Sequence, residues 1–212
     1  MSKKEEIYKG AMELFVEKGL SASVNELIER IGIAKGTLYH HISGKDQLII
    51  DIYKQLMFEI EEKCVNKYVD GVEPRESTKI IFGEIIKWFI SNPTKFYYIS
   101  IFESSPFIKI HFGIVEDTLE GPRKNIMQKV NMGIMKAYST DMIAFFDFAF
   151  TRAIANYFLS LPKPLKSFRE GFDQAFDMYW KGVAAEQSNN WWLYGAVDKC
   201  GKYSCWKLLK EC

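Results

Sequence analysis

The chain has 212 residues, 48% of them hydrophobic and 26% charged, and its 28 basic and 27 acidic side chains leave a formal net charge of +1. That length suits one medium domain or a small domain joined to a larger one, and the composition is that of a globular protein. A charge so near zero excludes recognition of a polyanion by bulk attraction, so any nucleic-acid role must come from a local arrangement.

Helical periodicity runs along the chain without convincing strand alternation, which predicts an all-α fold. The opening "MSKKEEIYKGAMELF" turns amphipathic at once and lacks the apolar core of a signal peptide, predicting a cytoplasmic chain. Ile7, Ala11, Leu14 and Phe15 share one face of this first helix, and Gly19 closes it. In "SVNELIERIG", Ser23 and Glu26 stand at the spacing of a capping box, Leu27, Ile28 and Ile31 form the inward stripe, and Gly32 ends the helix. A third, short helix is predicted from near Lys35 to about His41. "SGKDQLIIDIYKQLMFEIEEKCVNKYV" then opens a long helix with Gly44 as N-cap and Asp46 near its positive end.

"DGVEPRES" reads as a linker, and beyond it aromatic residues become dense. Helices are predicted at 75–91, 93–104, about 119–137, 140–160 and 165–184, punctuated by Pro93, Pro106 and "LPKP"; residues 105–118 have no clear assignment. The apolar stretch "DMIAFFDFAFTRAIANYF" is interrupted by Asp147 and Arg152, so no membrane partner is expected. Of the four cysteines, Cys200, Cys205 and Cys212 lie in the last 13 residues and Cys64 is far away, with no CxxC pair. They read as free thiols, and no metal or other cofactor is predicted.

The second and third helices, joined by a three-residue turn containing glycine, form a helix-turn-helix. Such a unit lays its second helix in the DNA major groove. Leu38 and Ile42, four apart, would face the core, leaving Thr37, His40 and His41 outward with Tyr39 on a flank. Side chains of this kind bond to base edges and phosphates, and Lys45 just after the turn suits a phosphate. Adjacent helical residues diverge by about 100°, so His40 and His41 cannot easily grip one metal ion. Residues 1–55 carry eight basic and eight acidic side chains, so contact with DNA would depend on which face Lys35 and Lys45 occupy.

"SVNELIERIGIAKGTLYHHISGKDQL", preceded by "AMELFVEKG", resembles the DNA-binding domain of the TetR family of bacterial transcriptional regulators over about residues 5–55. The resemblance implies DNA contacts at Thr37, Tyr39, His40 and Lys45, with Lys35 alongside them, a phosphate contact at Ser23, and close backbone approach at Gly36. Ala34, Ile42 and Gly44 stand where the family more often has Ser, Phe, and Ser or Asn.

In the second region most large apolar side chains suit a core. The resemblance implies that these helices also enclose a small apolar or aromatic effector, with Trp88, Tyr98, Phe102, Met127, Phe148 and Asn156 as candidates. Asp147, set in "IAFFDFAF", needs a partner: either a salt bridge, with Arg152 across a dimer as one choice, or an effector. Met142, Phe146, Ala149 and Ala153 recur at helical spacing, as do Phe168, Phe172, Phe176 and Tyr179. The resemblance implies that these two rows build a four-helix bundle between two copies; a core within one copy is the alternative.

The organisation expected is a helix-turn-helix domain over 1–48, a connecting helix over 45–69, a larger effector-binding and dimerisation domain over 70–187, and a tail over 188–212 whose role the pattern does not define. The function implied is a homodimeric, ligand-responsive repressor of a palindromic double-stranded DNA operator. No phosphate loop, nucleophile elbow or metal-ligand cluster points to an enzyme. The alternative is a helical small-molecule carrier or interaction protein without DNA binding.

Overall fold

The computed structural model describes residues 2–64, 72–107 and 123–185. Helix α1 (Lys3–Lys18) starts at a capping box between Ser2 and Glu5 and stops at Gly19, whose φ is +82°. Helix α2 (Val24–Ile31) starts at the Ser23–Glu26 box and ends at Gly32 in the left-handed conformation. Helix α3 (Lys35–His41) has no side-chain cap, because Ala34 precedes it. Helix α4 (Lys45–Cys64) begins where the Gly44 carbonyl accepts from the Leu48 N–H at 3.0 Å. Gly44 sits at φ +155°, a conformation that L side chains rarely adopt, which accounts for glycine here.

These four helices close around Ile7, Ala11, Leu14, Phe15, Leu27, Leu38, Leu48 and Ile49, each no more than 2% exposed. Gly10 lets α1 come close to α2: a Cβ there would lie 2.7 Å from Ile31 Cγ1. Leu27 is fully buried while Ile28 and Ile31 are half-buried, so the predicted stripe of α2 is narrower than its pattern.

The second region comprises α5 (Pro74–Ser91), α6 (Pro93–Glu103), a helical stretch over 123–131, α7 (Thr140–Leu159) and α8 (Pro164–Val183). Proline opens α5, α6 and α8, where its missing N–H costs nothing. The helix expected to reach residue 137 ends near 131. Gly133 takes φ +67°, and the chain then runs beside the end of α8 through a bridge between Met135 and Ala184. Lys136 N–H donates to Val183 O at 2.8 Å and Ala185 N–H to Ile134 O at 3.0 Å.

The two regions share one contiguous core. Phe15 of α1 lies 6.4 Å from Tyr98 of α6, ring centre to ring centre, and the Tyr98 hydroxyl donates to the Ile49 carbonyl of α4 at 2.7 Å. Tyr53 of α4 stacks on Phe102 at 4.1 Å.

Helix α7 is long and apolar enough to cross a membrane by length and composition alone. It also packs against both α5 and α8. Its outer row stays uncovered within the protomer: Met142, Phe145 and Phe146 are 69%, 77% and 45% exposed, and Ala149 and Ala153 are exposed too.

The row on α8 is different. Phe168, Phe172, Phe176 and Tyr179 are 4%, 8%, 0% and 2% exposed and turn inward. This corrects the expectation that they meet a second copy: their surface is already consumed, Phe172 beside Gly83 of α5 and Phe176 and Tyr179 against Phe82. The predicted tail, the last three cysteines, most of 105–118 and the end of the connecting helix lie outside the described residues.

Candidate nucleic-acid interface

The recognition surface is built outward from Leu38, fully buried, and Ile42, 7% exposed. With these two pinned, helical geometry turns Lys35, Gly36, Thr37, Tyr39 and His40 to solvent, and all five are exposed. Tyr39 is 47% exposed, a large ring outside the core. A Cβ at Gly36 would meet nothing within 4 Å, so no packing within the protein requires glycine there. Lys45 and His41 are half-buried at the edge of the same surface.

His40 and His41 meet edge to face, ring centres 5.2 Å apart. Among the described residues no group of three or more His, Cys, Asp or Glu side chains could hold a metal ion. Ser23, at the start of α2, uses its hydroxyl locally: it accepts from Glu26 N–H at 3.2 Å and donates to Glu26 Oε2 at 2.9 Å. Glu26 is drawn down to about 2 by its hydrogen bond from Lys18, then by the Ser23 backbone and hydroxyl.

Several of the acidic side chains that offset the lysines are engaged elsewhere. Glu17 pairs with Arg30 at 2.7 Å, Glu26 with Lys18 at 2.9 Å and Glu6 with Lys3 at 2.7 Å. Asp51 accepts from Gln47 at 2.7 Å and from Tyr8 at 3.3 Å. Lys35 and Lys45 take part in none of these pairs, so a formally neutral domain still presents two uncommitted cations beside α3.

Residues 7–52 match the family model of bacterial regulatory proteins, tetR family. The helix-turn-helix domain is a tetR-family domain. The Transposon Tn10 TetC protein of Escherichia coli is 32% identical over 89 residues, covering 42% of this chain and 45% of that protein. The HTH-type transcriptional repressor KstR2 of Mycolicibacterium smegmatis is 30% identical over 57 residues, 26% of this chain and 28% of that one. The chain thus spans less than half the length of either relative. The likeness in fold extends further. A crystal structure assigned to the tetR family of transcription regulators, from Shewanella sp. PV-4, superposes with a TM-score of 0.79 at 21% identity, over 88% of this chain and all of that one. The fold is therefore that of tetR-family regulators, with the larger helical domain following the tetR domain.

The structure does not gather the effector candidates into one site. Tyr98 and Phe102 fasten α6 to α4, and Trp88, 7% exposed, directs its ring N–H at Glu59 Oε1, 3.3 Å away. Met127 is 51% exposed and Asn156 is exposed, while Phe148 lies under the Arg152 guanidinium. A cleft of about 390 Å³ does exist where α1, α4 and the α5–α6 turn meet, but Tyr8, Met12, Ile52, Leu56 and Lys95 line it, and none of the candidates does.

Asp147 has a partner, though not the one expected. Tyr179 OH donates to its Oδ1 at 2.5 Å, and burial raises the carboxyl to about 7 against the pull of that bond and of Lys129. Arg152 instead pairs with Glu103, whose Oε1 also accepts from Tyr53 OH at 3.0 Å. Lys129 was missed altogether. It is 8% exposed, donates to Thr78 Oγ1 at 2.8 Å, and is lowered to about 8 by burial. A signal existed: Lys129 lies three residues after Ile126, which is 2% exposed, so the two share a helix face.

Proposed function

We propose that the chain is a ligand-responsive DNA-binding transcriptional regulator that represses from a palindromic operator as a homodimer. The observation that carries this reading is the outward row Lys35, Thr37, Tyr39 and His40 on a helix anchored by Leu38 and Ile42, with Lys45 uncommitted beside it. A seven-residue helix with one buried contact row has no need of four exposed neighbours of this chemistry for stability. They match what reading base edges and phosphates requires.

Dimerisation would use the apolar row of α7, Met142, Phe146, Ala149 and Ala153, with Phe145 and Met178 beside it. Large exposed apolar side chains clustered on one side are the kind of surface that a partner covers. The helix-turn-helix domain would occupy 1–48, α4 would connect it, and 70–187 would bind effector and partner. A small apolar or aromatic effector would favour one spacing of the two recognition helices over the other. The Tyr53–Glu103–Arg152 chain joins α4, α6 and α7, and offers a route along which such a change reaches DNA. Repression fits the named role of the KstR2 relative.

Selection of bound sequences from random double-stranded DNA, followed by titration at several salt concentrations, tests the reading. A regulator yields a two-fold-symmetric site whose affinity falls steeply with salt and on Lys45→Ala or Tyr39→Ala. No enriched sequence, with both variants indistinguishable from the parent chain, would instead favour a small-molecule carrier.

A further inference from the structure

Where α1, α4 and the turn between α5 and α6 meet, the cleft of about 390 Å³ has the volume of a small-molecule site. Its floor is apolar: Met12 of α1 with Ile52 and Leu56 of α4, the last two 3% and 4% exposed. One wall is α1 of the tetR domain, and another is the α5–α6 turn of the second region. No part of α7 or its outer apolar row lines it.

Most charged groups around the cleft are spent within the protein. Glu59 accepts from Lys95 at 2.7 Å, from Lys63 at 2.8 Å and from the Trp88 ring N–H at 3.3 Å. Tyr8 OH donates to Asp51 at 3.3 Å, and Glu5 accepts from the Ser2 N–H at 2.7 Å. Lys9 and Glu13 are not spent. They stand four apart on α1 and both line the cleft, yet among the described residues neither enters a hydrogen bond or ion pair. Lysine before glutamate is the less favourable order for pairing at that spacing.

The start of α6 is uncommitted too. It has no side-chain cap, and its first bonded amide is Phe96 N–H, to Asn92 O at 3.0 Å. The Thr94 and Lys95 amides, with the Thr94 hydroxyl, are thus left at the positive end of the helix, and both residues line the cleft. A carboxylate is stabilised in such a place.

We infer that the cleft binds a zwitterionic α-amino acid with an apolar side chain. Its carboxylate meets the start of α6 and Lys9, its ammonium meets Glu13, and its side chain lies on Met12, Ile52 and Leu56. The presence of both signs decides the class. A simple anion would leave Glu13 unmatched, and a simple cation would leave Lys9 and the α6 amides unmatched. A ligand seated there joins α1 to the α5–α6 turn, and so fixes the tetR domain against the second region. Only that regulatory consequence rests on the ligand-responsive reading above.

The test uses the full chain without DNA and two matched sets of probes, measured by titration calorimetry. One set is L-phenylalanine, phenethylamine and 3-phenylpropionate; the other is L-leucine, 3-methylbutylamine and 4-methylpentanoate. At least one amino acid should bind about tenfold or more tightly than either of its fragments, because only the zwitterion forms both charge-assisted contacts. Glu13→Gln should weaken the amino acid and the amine and leave the carboxylic acid unchanged. Lys9→Met should weaken the amino acid and the acid and leave the amine unchanged. No binding of any probe, fragments that equal the amino acid, or an affinity that survives both substitutions overturns the inference. Operator affinity is read separately. An amino acid that binds through Glu13 and Lys9 without altering it upholds the site and rejects its regulatory role. A chain that selects an operator yet binds no probe loses the site and keeps the DNA-binding reading.

Discussion

The tetR domain and the helical region behind it use the same kinds of side chain to opposite ends. Tyr39 is 47% exposed on a short helix, whereas Tyr98, Tyr53 and Tyr179 are buried and spend their hydroxyls on Ile49, Glu103 and Asp147. Lys35 and Lys45 edge an open surface, whereas Lys129 is enclosed. Exposed polar groups in the first region are available to a partner and cost the fold little. In the second region each buried polar group must be satisfied inside, so chemistry and stability are tied together there.

The comparison breaks first at the cores. Phe176→Ala, at a site with no exposure, should lower unfolding free energy by ~3–5 kcal/mol in urea titrations. Gly10→Val should follow at ~1–3 kcal/mol, because its Cβ would meet Ile31. Ile31→Ala in the same chain should recover part of that loss if the clash is the cause.

The recognition surface should show the reverse pattern. Tyr39→Ala and His40→Ala should move stability by no more than ~0.5 kcal/mol yet weaken operator binding by ~1–3 kcal/mol in fluorescence anisotropy. A comparable loss of stability would mean that α3 belongs to the core after all.

The buried pair predicts a pH signature. Asp147 is raised from 3.8 to about 7, so the folded chain holds its proton more tightly than the unfolded one. The stability this contributes is fully present below the unfolded value and is lost as pH rises through about 7. Lys129, lowered to about 8, has the opposite trend on the alkaline side: stability rises as pH climbs from about 8 towards 10.5. Urea midpoints of the parent chain relative to Asp147→Asn should therefore fall between pH 4 and 7, and a constant difference would contradict the assignment. Ser23→Ala should lower unfolding free energy by about 1 kcal/mol from the lost cap, read in the same urea titrations.

How much was legible follows the same division. The capping boxes, Gly19, Gly32 and the Leu38–Ile42 spacing are local signals, each acting within a turn or two of its own residue, and α1 to α3 lie where those signals put them. The exposed set on α3 followed from two buried positions and helical geometry. On α8, periodicity identified Phe168, Phe172, Phe176 and Tyr179 as one row, but a row carries no label for what covers it. Gly83 opposite Phe172, and Phe82 against Phe176 and Tyr179, decide that it faces inward. Asp147 was recognised as needing a partner, yet Tyr179 and Lys129 are 32 and 18 positions away.

The amino-acid sequence by itself determined the all-helical class, the helix-turn-helix and the outward set from Lys35 to His40, because short-range hydrogen bonding and helical period suffice for these. Only the tertiary structure decided that Tyr98 and Phe102 clasp α4, that Arg152 belongs to Glu103, and that Lys129 stands buried beside Thr78. Burial and charge pairing depend on which distant helices meet, and apolar rows are matched by shape, which no local pattern records.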